Sequence, residues 1–281
     1  MIRLAIRVRR DEAELVLAEL LELAPGGVEE VDVDPDTVEY AVYGPPGELP
    51  SLPEVRVAAG GALVDVSSTE VADDWADRWR SFHRPLVLGD RLVVRPPWEP
   101  PVSGVGLDLV IDPGRAFGTG AHATTRLCLE LLLDLEPPVG PVGVVDLGCG
   151  SGVLGIAAVR LGWGSVLSLD FDVLAVEATL ENARVNEVAS ALSARRFDLR
   201  EAPVPAAPLV LANLLAPLLL IWRSQLASGM ASRPSRIIAS GILAAEADQI
   251  GDAFAGVGLV ERGRRAHGEW AALLLRASDQ G

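Results

Sequence analysis

From residue 142 onward, short apolar segments alternate with longer stretches that have room for helices. Such alternation predicts a mostly parallel β-sheet covered by helices on both faces. The last two apolar segments are separated too briefly for a crossover helix, so we expect one of them to run antiparallel at the edge of the sheet. The predicted strands lie near residues 142–147, 165–170, 191–197, 208–212, 235–240, 257–263 and 270–276.

The N-terminal region has a different pattern, which predicts a small α+β domain at residues 1–67. A strand at 2–8, a helix from Asp11 and further strands up to residue 68 give a βαββ(α)β order, in which the second helix, near 46–59, is weakened by two prolines. We predict an amphipathic linker helix at residues 68–84, because a capping signature precedes a stripe of aromatic and apolar residues. Residues 85–281 form the remaining domain, which contains the alternating strands and helices.

Charge and composition exclude several kinds of protein. The formal net charge is −15, and residues 1–66 hold fourteen acidic residues against five arginines. This charge disfavours nucleic acid as a partner and favours a basic one. The alternative is an acidic surface that serves only solubility. Since the chain has no lysine, a phosphate-binding P-loop lysine and a Schiff-base lysine are both excluded. The longest apolar stretch, 209–222, is too short to span a membrane. With two cysteines and no secretory signal, we expect a cytoplasmic protein without a metal site.

A glycine-rich loop follows the first strand of the alternating region. Gly148, Gly150 and Gly152 let the backbone approach a ligand, and the helix after them presents free N–H groups to an anion. Asp170, at the end of the next strand, is correctly spaced to bind two ribose hydroxyls. Val153 stands where a dinucleotide fingerprint needs its third glycine, which argues against a nicotinamide-dependent oxidoreductase.

Polar residues at the ends of neighbouring strands indicate what the ligand is. Asp146 could hold an ammonium group directly or through water, and S-adenosylmethionine is a nucleoside that offers an ammonium, a carboxylate and ribose hydroxyls together. Asp198 could accept a hydrogen bond from the adenine amino group or lie in solvent. Asn213 could accept a proton from a nucleophilic amine or cap the next helix. Cys149 is a small residue in a tight turn and not a nucleophile, because no basic group adjoins it.

With these motifs the sequence resembles the ribosomal protein L11 methyltransferase family over residues 70–276. The resemblance rests on segments that include "DPGRAFGTGAHATTRLCLELL" (112–132), "VVDLGCGSGVLGIAA" (144–158), "LANLL" (211–215) and "GEWAALLLR" (268–276). It implies a seven-stranded class I methyltransferase (Rossmann-like) domain and a small ferredoxin-like domain that recognises L11. It also implies transfer of methyl groups from S-adenosylmethionine to lysine or N-terminal amines of L11. Ala123 departs from a proline that is common in the family's loop.

The loop from residue 117 to residue 125 is the most specific part of this resemblance. It implies cofactor contacts from Phe117, Gly118, Thr119, Gly120 and Thr125, with Thr119 also beside the reacting amine. Thr124 and Thr125 could instead cap the following helix. His122 could touch solvent or cofactor, and we do not assign it as a base.

Other functions fit parts of the same pattern. Lysine methyltransferases of electron-transfer flavoprotein share the glycine-threonine loop, a small-molecule methyltransferase could use the same cofactor site, and a non-catalytic protein could keep the fold. We expect a monomer that binds basic L11 and no nucleic acid, membrane or metal.

Overall fold

A computed structural model describes residues 2–24, 28–44, 49–70, 84–113, 122–137, 139–140 and 142–278. The chain divides into two compact units, residues 1–82 and 83–281. Most of the predicted linker helix, residues 71–83, lies outside the described residues.

The first unit is a four-stranded antiparallel sheet with two helices. The strands are arranged in the order β2-β3-β1-β4, which is that of a ferredoxin-like βαββαβ sandwich. Ile6, Leu20, Tyr40 and Val55 are buried between the sheet and the helices. The elements are β1 (Ile2–Arg9), α1 (Ala13–Leu23), β2 (Glu29–Asp32), β3 (Thr37–Gly44), α2 (Leu52–Ala59) and β4 (Leu63–Glu70).

Two details of this unit differ from the prediction. Helix α2 begins only at Leu52, so Pro53 falls in the first turn, where its missing N–H costs no helical hydrogen bond. A capping box starts the helix, with Ser51 N–H donating to Glu54 Oε2 at 2.7 Å. Strand β4 pairs with β1 as far as Glu70, so residues 68–70 belong to a strand and not to the predicted linker helix.

The second unit contains a three-stranded sheet and a larger seven-stranded sheet. The larger sheet has the order β10-β9-β8-β11-β12-β14-β13, which confirms the predicted class I methyltransferase architecture. The small sheet consists of β5 (Leu86–Leu88), β6 (Leu92–Arg95) and β7 (Leu107–Val110). The large sheet consists of β8 (Val144–Leu147), β9 (Val166–Asp170), β10 (Leu192–Arg196), β11 (Leu209–Asn213), β12 (Arg236–Leu243), β13 (Leu259–His267) and β14 (Trp270–Ala277). Its helices are α3 (Ala123–Leu133), α4 (Val153–Arg160), α5 (Val173–Val185), α6 (Ala216–Ala227) and α7 (Ala247–Ala255).

The position of the antiparallel strand was predicted wrongly. Strand β14 is antiparallel, as a short connection requires, but it lies between β12 and β13. The edge strand is therefore β13, and the chain turns at Gly268 to insert β14 beside β12.

Apolar side chains cover both faces of the large sheet. On β8, Val144 belongs to the cluster packed against α3 and α4, whereas the next residue, Val145, belongs to the cluster packed against α6 and α7. Strand β8 also lies at the point where the strand order reverses, between β9 and β11. In open α/β sheets, ligands bind at this point, outside the carboxyl ends of the strands. No helix among the described residues is both long and apolar enough to cross a membrane.

Candidate functional site

The glycine-rich loop between β8 and α4 is closely packed at two of its glycines. Gly148 and Gly152 have φ values of +75° and +81°, which other residues rarely adopt. A Cβ atom on Gly148 would lie 2.5 Å from Leu214 Cδ2, and one on Gly152 would lie 2.8 Å from Thr179 Cγ2. The predicted need for glycine therefore has two local causes, the backbone conformation and the lack of space.

Asp170, at the end of β9, is tied directly to this loop. Its Oδ2 accepts the Gly150 N–H at 3.0 Å, and its Oδ1 accepts the Asp172 N–H at 3.1 Å. Burial raises the pKa of Asp170 in spite of these two hydrogen bonds. The carboxyl group therefore lies beside the loop and can accept further hydrogen bonds, such as those that ribose hydroxyls donate.

Asp146, on β8, is completely buried. Its Oδ2 accepts the Gly155 N–H at 3.0 Å, while its Oδ1 has no hydrogen-bond partner within the described part of the chain. Burial raises the pKa of this carboxyl group to about 7. Ser168, its neighbour on β9, is also buried, and its hydroxyl oxygen has no described partner. A buried carboxylate oxygen without a partner is costly, so this position fits a cation or a water molecule.

Asn213, at the end of β11, presents an unused acceptor. Its Nδ2 donates to Thr125 Oγ1 at 3.5 Å, and its Oδ1 is buried without a partner among the residues described. The alternative role as a helix cap is wrong, because α6 begins at Ala216 with Leu215 as its N-cap. The amide oxygen is therefore free to accept a hydrogen bond from a ligand.

Helix α3 begins at Ala123, so residues 123–125 of the segment predicted to be a loop belong to the helix. Its N-cap is His122, whose Nδ1 accepts the Thr124 N–H at 3.3 Å, so the capping role considered for Thr124 and Thr125 is wrong. His122 packs edge-on against Trp270, with the ring centroids 5.0 Å apart, and burial lowers its pKa. Its contacts are thus with the protein. Phe117, Gly118, Thr119 and Gly120 lie outside the described residues, so their roles stay predictions.

Two residues considered for other roles are engaged within the protein. Asp198 accepts three hydrogen bonds from Arg200. The backbone N–H and Nε of Arg200 donate to Oδ1, both at 2.9 Å, and Nη2 donates to Oδ2 at 2.7 Å. These hydrogen bonds lower the pKa of Asp198 to about 2. Its contact with adenine stays a prediction. Cys149 Sγ lies 3.2 Å from Thr179 Oγ1, and burial raises the pKa of the thiol, as expected for a residue that is not a nucleophile.

Helix α5 supplies site residues that the sequence analysis missed. Thr179 and Asn182 are buried, and they donate to the carbonyl oxygens of Gly150 and Ser151, at 3.0 and 2.9 Å. The available signal was the run "ENARVN", which places two asparagines four residues apart on one helix face. Buried asparagines require hydrogen-bond partners, which here are backbone groups.

The glycine loop, Asp170 and Asn213 lie at the carboxyl ends of three neighbouring strands, whereas Asp198 follows a fourth strand, β10. The glycine loop follows β8, Asp170 ends β9 and Asn213 ends β11. The described residues contain no group of three or more histidine, cysteine or acidic side chains that could hold a metal ion.

The chain is similar to proteins of one family. The family model described as "Ribosomal protein L11 methyltransferase (PrmA)" matches residues 54–278. A ribosomal protein L11 methyltransferase of Syntrophotalea carbinolica is 38% identical, over 92% of this chain and 92% of its own length. One of Pelotomaculum thermopropionicum is 41% identical, over 79% and 71%. The crystal structure of a ribosomal protein L11 methylase from Lactobacillus delbrueckii subsp. bulgaricus matches with a TM-score of 0.61 and 31% identity, covering 69% of this chain and 99% of that one.

Proposed function

The chain belongs to the ribosomal protein L11 methyltransferase family, and we propose that it transfers methyl groups from S-adenosylmethionine to lysine side chains or the N-terminal amine of L11. The observation that supports this proposal best is the hydrogen bond between the glycine loop and Asp170 at the carboxyl edge of the sheet. On the other side of β8, at the end of β11, Asn213 has an oxygen without a described partner. Action as a monomer in the cytoplasm, without nucleic acid or membrane, is part of the same proposal.

The described residues fit the cofactor. Asp146 Oδ1, buried without a described partner, suits the ammonium group, and the N-terminus of α4 suits the carboxylate. Asp170 suits the ribose hydroxyls, and Gly148 and Gly152 keep the loop free of side chains. When bound, S-adenosylmethionine supplies an electrophilic methyl group on a sulfonium.

The protein's contribution to methyl transfer is to orient the amine and to favour its neutral form. A free lysine side chain has a pKa of about 10.4, and partial desolvation lowers this value because the charged form loses its hydration. Asn213 Oδ1 accepts an N–H of the amine and thereby directs the nitrogen lone pair. Thr119 is the second residue proposed beside the amine. Proximity and desolvation suffice for this reaction, so no strong base is needed.

The charge of the N-terminal unit favours a basic substrate. Helix α1 carries three glutamates and no basic residue, and residues 1–66 hold far more acidic than basic residues. Charges of opposite sign accelerate encounter and help to align the partners. We therefore assign recognition of L11 to this unit.

Intact-mass analysis of unmethylated L11, incubated with this protein and S-adenosylmethionine, tests the proposal. We expect mass increments of whole methyl groups. Asp170→Asn should abolish them, whereas Asp252→Asn, which makes the same change on the exposed side of α7, should not. Because the chain has no lysine, self-methylation could occur only at its own N-terminal amine. Binding of S-adenosylhomocysteine without any modification of L11 would refute L11 as the substrate.

A further inference from the structure

Helix α5 is hydrogen-bonded to two separate backbone segments of the second unit. One is the glycine loop, where Asn182 Nδ2 donates to Ser151 O at 2.9 Å. The other is the segment that follows β7, where Asn182 Oδ1 accepts the Asp112 N–H at 3.0 Å. The two halves of one amide group, itself 2% exposed, thus join both segments.

The second segment leads directly into the loop predicted to contact the cofactor. Asp112 precedes Phe117 by five residues, and the whole segment belongs to the run that marks the family resemblance. Asp112 is therefore close in sequence to the loop that is predicted to contact the cofactor.

Asn186, the C-cap residue of α5, makes side-chain hydrogen bonds to Val110 and to the Asn182 carbonyl oxygen but none to the glycine loop. Its Oδ1 accepts the Val110 N–H at 2.9 Å, and its Nδ2 donates to Val110 O at 2.7 Å. It is 3% exposed, which is nearly the same burial as Asn182. Asn186 therefore joins the end of β7 to the C-terminus of α5, next to the segment that Asn182 holds, and provides a matched control.

We propose that Asn182 is a positioning residue that holds the glycine loop and the segment at Asp112 in the relative arrangement that binds the cofactor. This inference rests on the proposed function, since it concerns the same cofactor site. Loss of the amide would remove the hydrogen bond to the Ser151 carbonyl and the one from the Asp112 N–H, and with them the direct link between the two segments. The two segments would then have to be ordered by the cofactor itself, which would weaken binding.

The test compares Asn182→Ala with Asn186→Ala in the full-length protein. Both changes should lower the thermal midpoint, because each removes several side-chain hydrogen bonds of a buried amide. Only Asn182→Ala should weaken binding of S-adenosylhomocysteine in calorimetry, by about tenfold, which corresponds to about 1.4 kcal/mol. With L11, Asn182→Ala should raise the KM for S-adenosylmethionine and leave kcat at saturation and the KM for L11 unchanged.

A second variant covers the case in which Asn182→Ala does not fold. Asn182→Asp keeps the acceptor for the Asp112 N–H but places a carboxylate oxygen against Ser151 O, so it should also weaken cofactor binding. Wild-type affinity in the folded Asn182 variants, or an equal loss in Asn186→Ala, would overturn the inference. Since this measurement does not involve L11, failure of the proposed substrate would be seen separately, as cofactor binding without methylation.

Discussion

Cofactor binding should depend on pH through the buried carboxyl group of Asp146. Burial raises the pKa of Asp146 to about 7, and its Oδ1 has no partner among the described residues. An ammonium group placed beside this oxygen would favour the charged carboxylate. Binding should therefore release a proton from Asp146, and affinity should increase as pH rises through 7.

The size of this effect follows from the charged fraction in the free protein. With a pKa of about 7, roughly a tenth of Asp146 is charged at pH 6 and roughly nine tenths at pH 8. If only the charged form holds the ammonium group, affinity should be about tenfold higher at pH 8, equivalent to about 1.4 kcal/mol.

The same shift has the opposite effect on the stability of the unliganded protein. The unfolded chain loses the Asp146 proton near its ordinary pKa, 3.8, whereas the folded protein keeps it up to about pH 7. The free energy of unfolding should therefore fall as pH rises through this range. Asp146→Asn should remove this contribution, because an amide does not titrate.

Calorimetric titration of S-adenosylhomocysteine into wild type and Asp146→Asn between pH 6 and pH 8 measures the effect. Buffers of different ionisation enthalpy report the protons released, and titration of the ligand's own amino group is common to both proteins. Thermal unfolding shows whether the variant is folded. If the two proteins showed the same pH dependence of affinity, or if wild type showed none, Asp146 would not be the group that holds the ammonium.

Three other changes test separate parts of the site. Asn213→Ala should lower kcat far more than cofactor affinity, and an equal loss of both in kinetics and titration would contradict its role with the amine. Gly152→Ala should lower the free energy of unfolding by about 1–3 kcal/mol more than Gly104→Ala does. Both glycines have φ +81°, but of the two only Gly152 has a close neighbour among the described residues, Thr179. Equal denaturation midpoints of the two variants would show that Thr179 moves to make room for the added methyl group. Raising ionic strength should raise the KM for L11 through weaker attraction to the acidic N-terminal unit, and an unchanged KM would argue against that docking role.

The second helix of the N-terminal unit shows where local patterns mislead. Pro50 and Pro53 read as helix breakers within a helix expected at 46–59. In the structure α2 starts at Leu52, so one proline precedes it and the other lies in its first turn. The sequence contained the capping pair Ser51 and Glu54, whose position gives the correct start.

Local patterns were enough to predict the alternation of strands and helices, the glycine loop and the acid that follows it. These features depend on residues close together in the chain, where periodicity and spacing limit the choices. The insertion of β14 beside β12, and the link that Asn182 makes between Ser151 and Asp112, became visible only in the folded chain. The tertiary structure also left oxygens of Asp146 and Asn213 without a described partner. The physical reason is that hydrogen bonding and burial are set by segments distant in sequence, 70 residues apart in the case of Asn182 and Asp112.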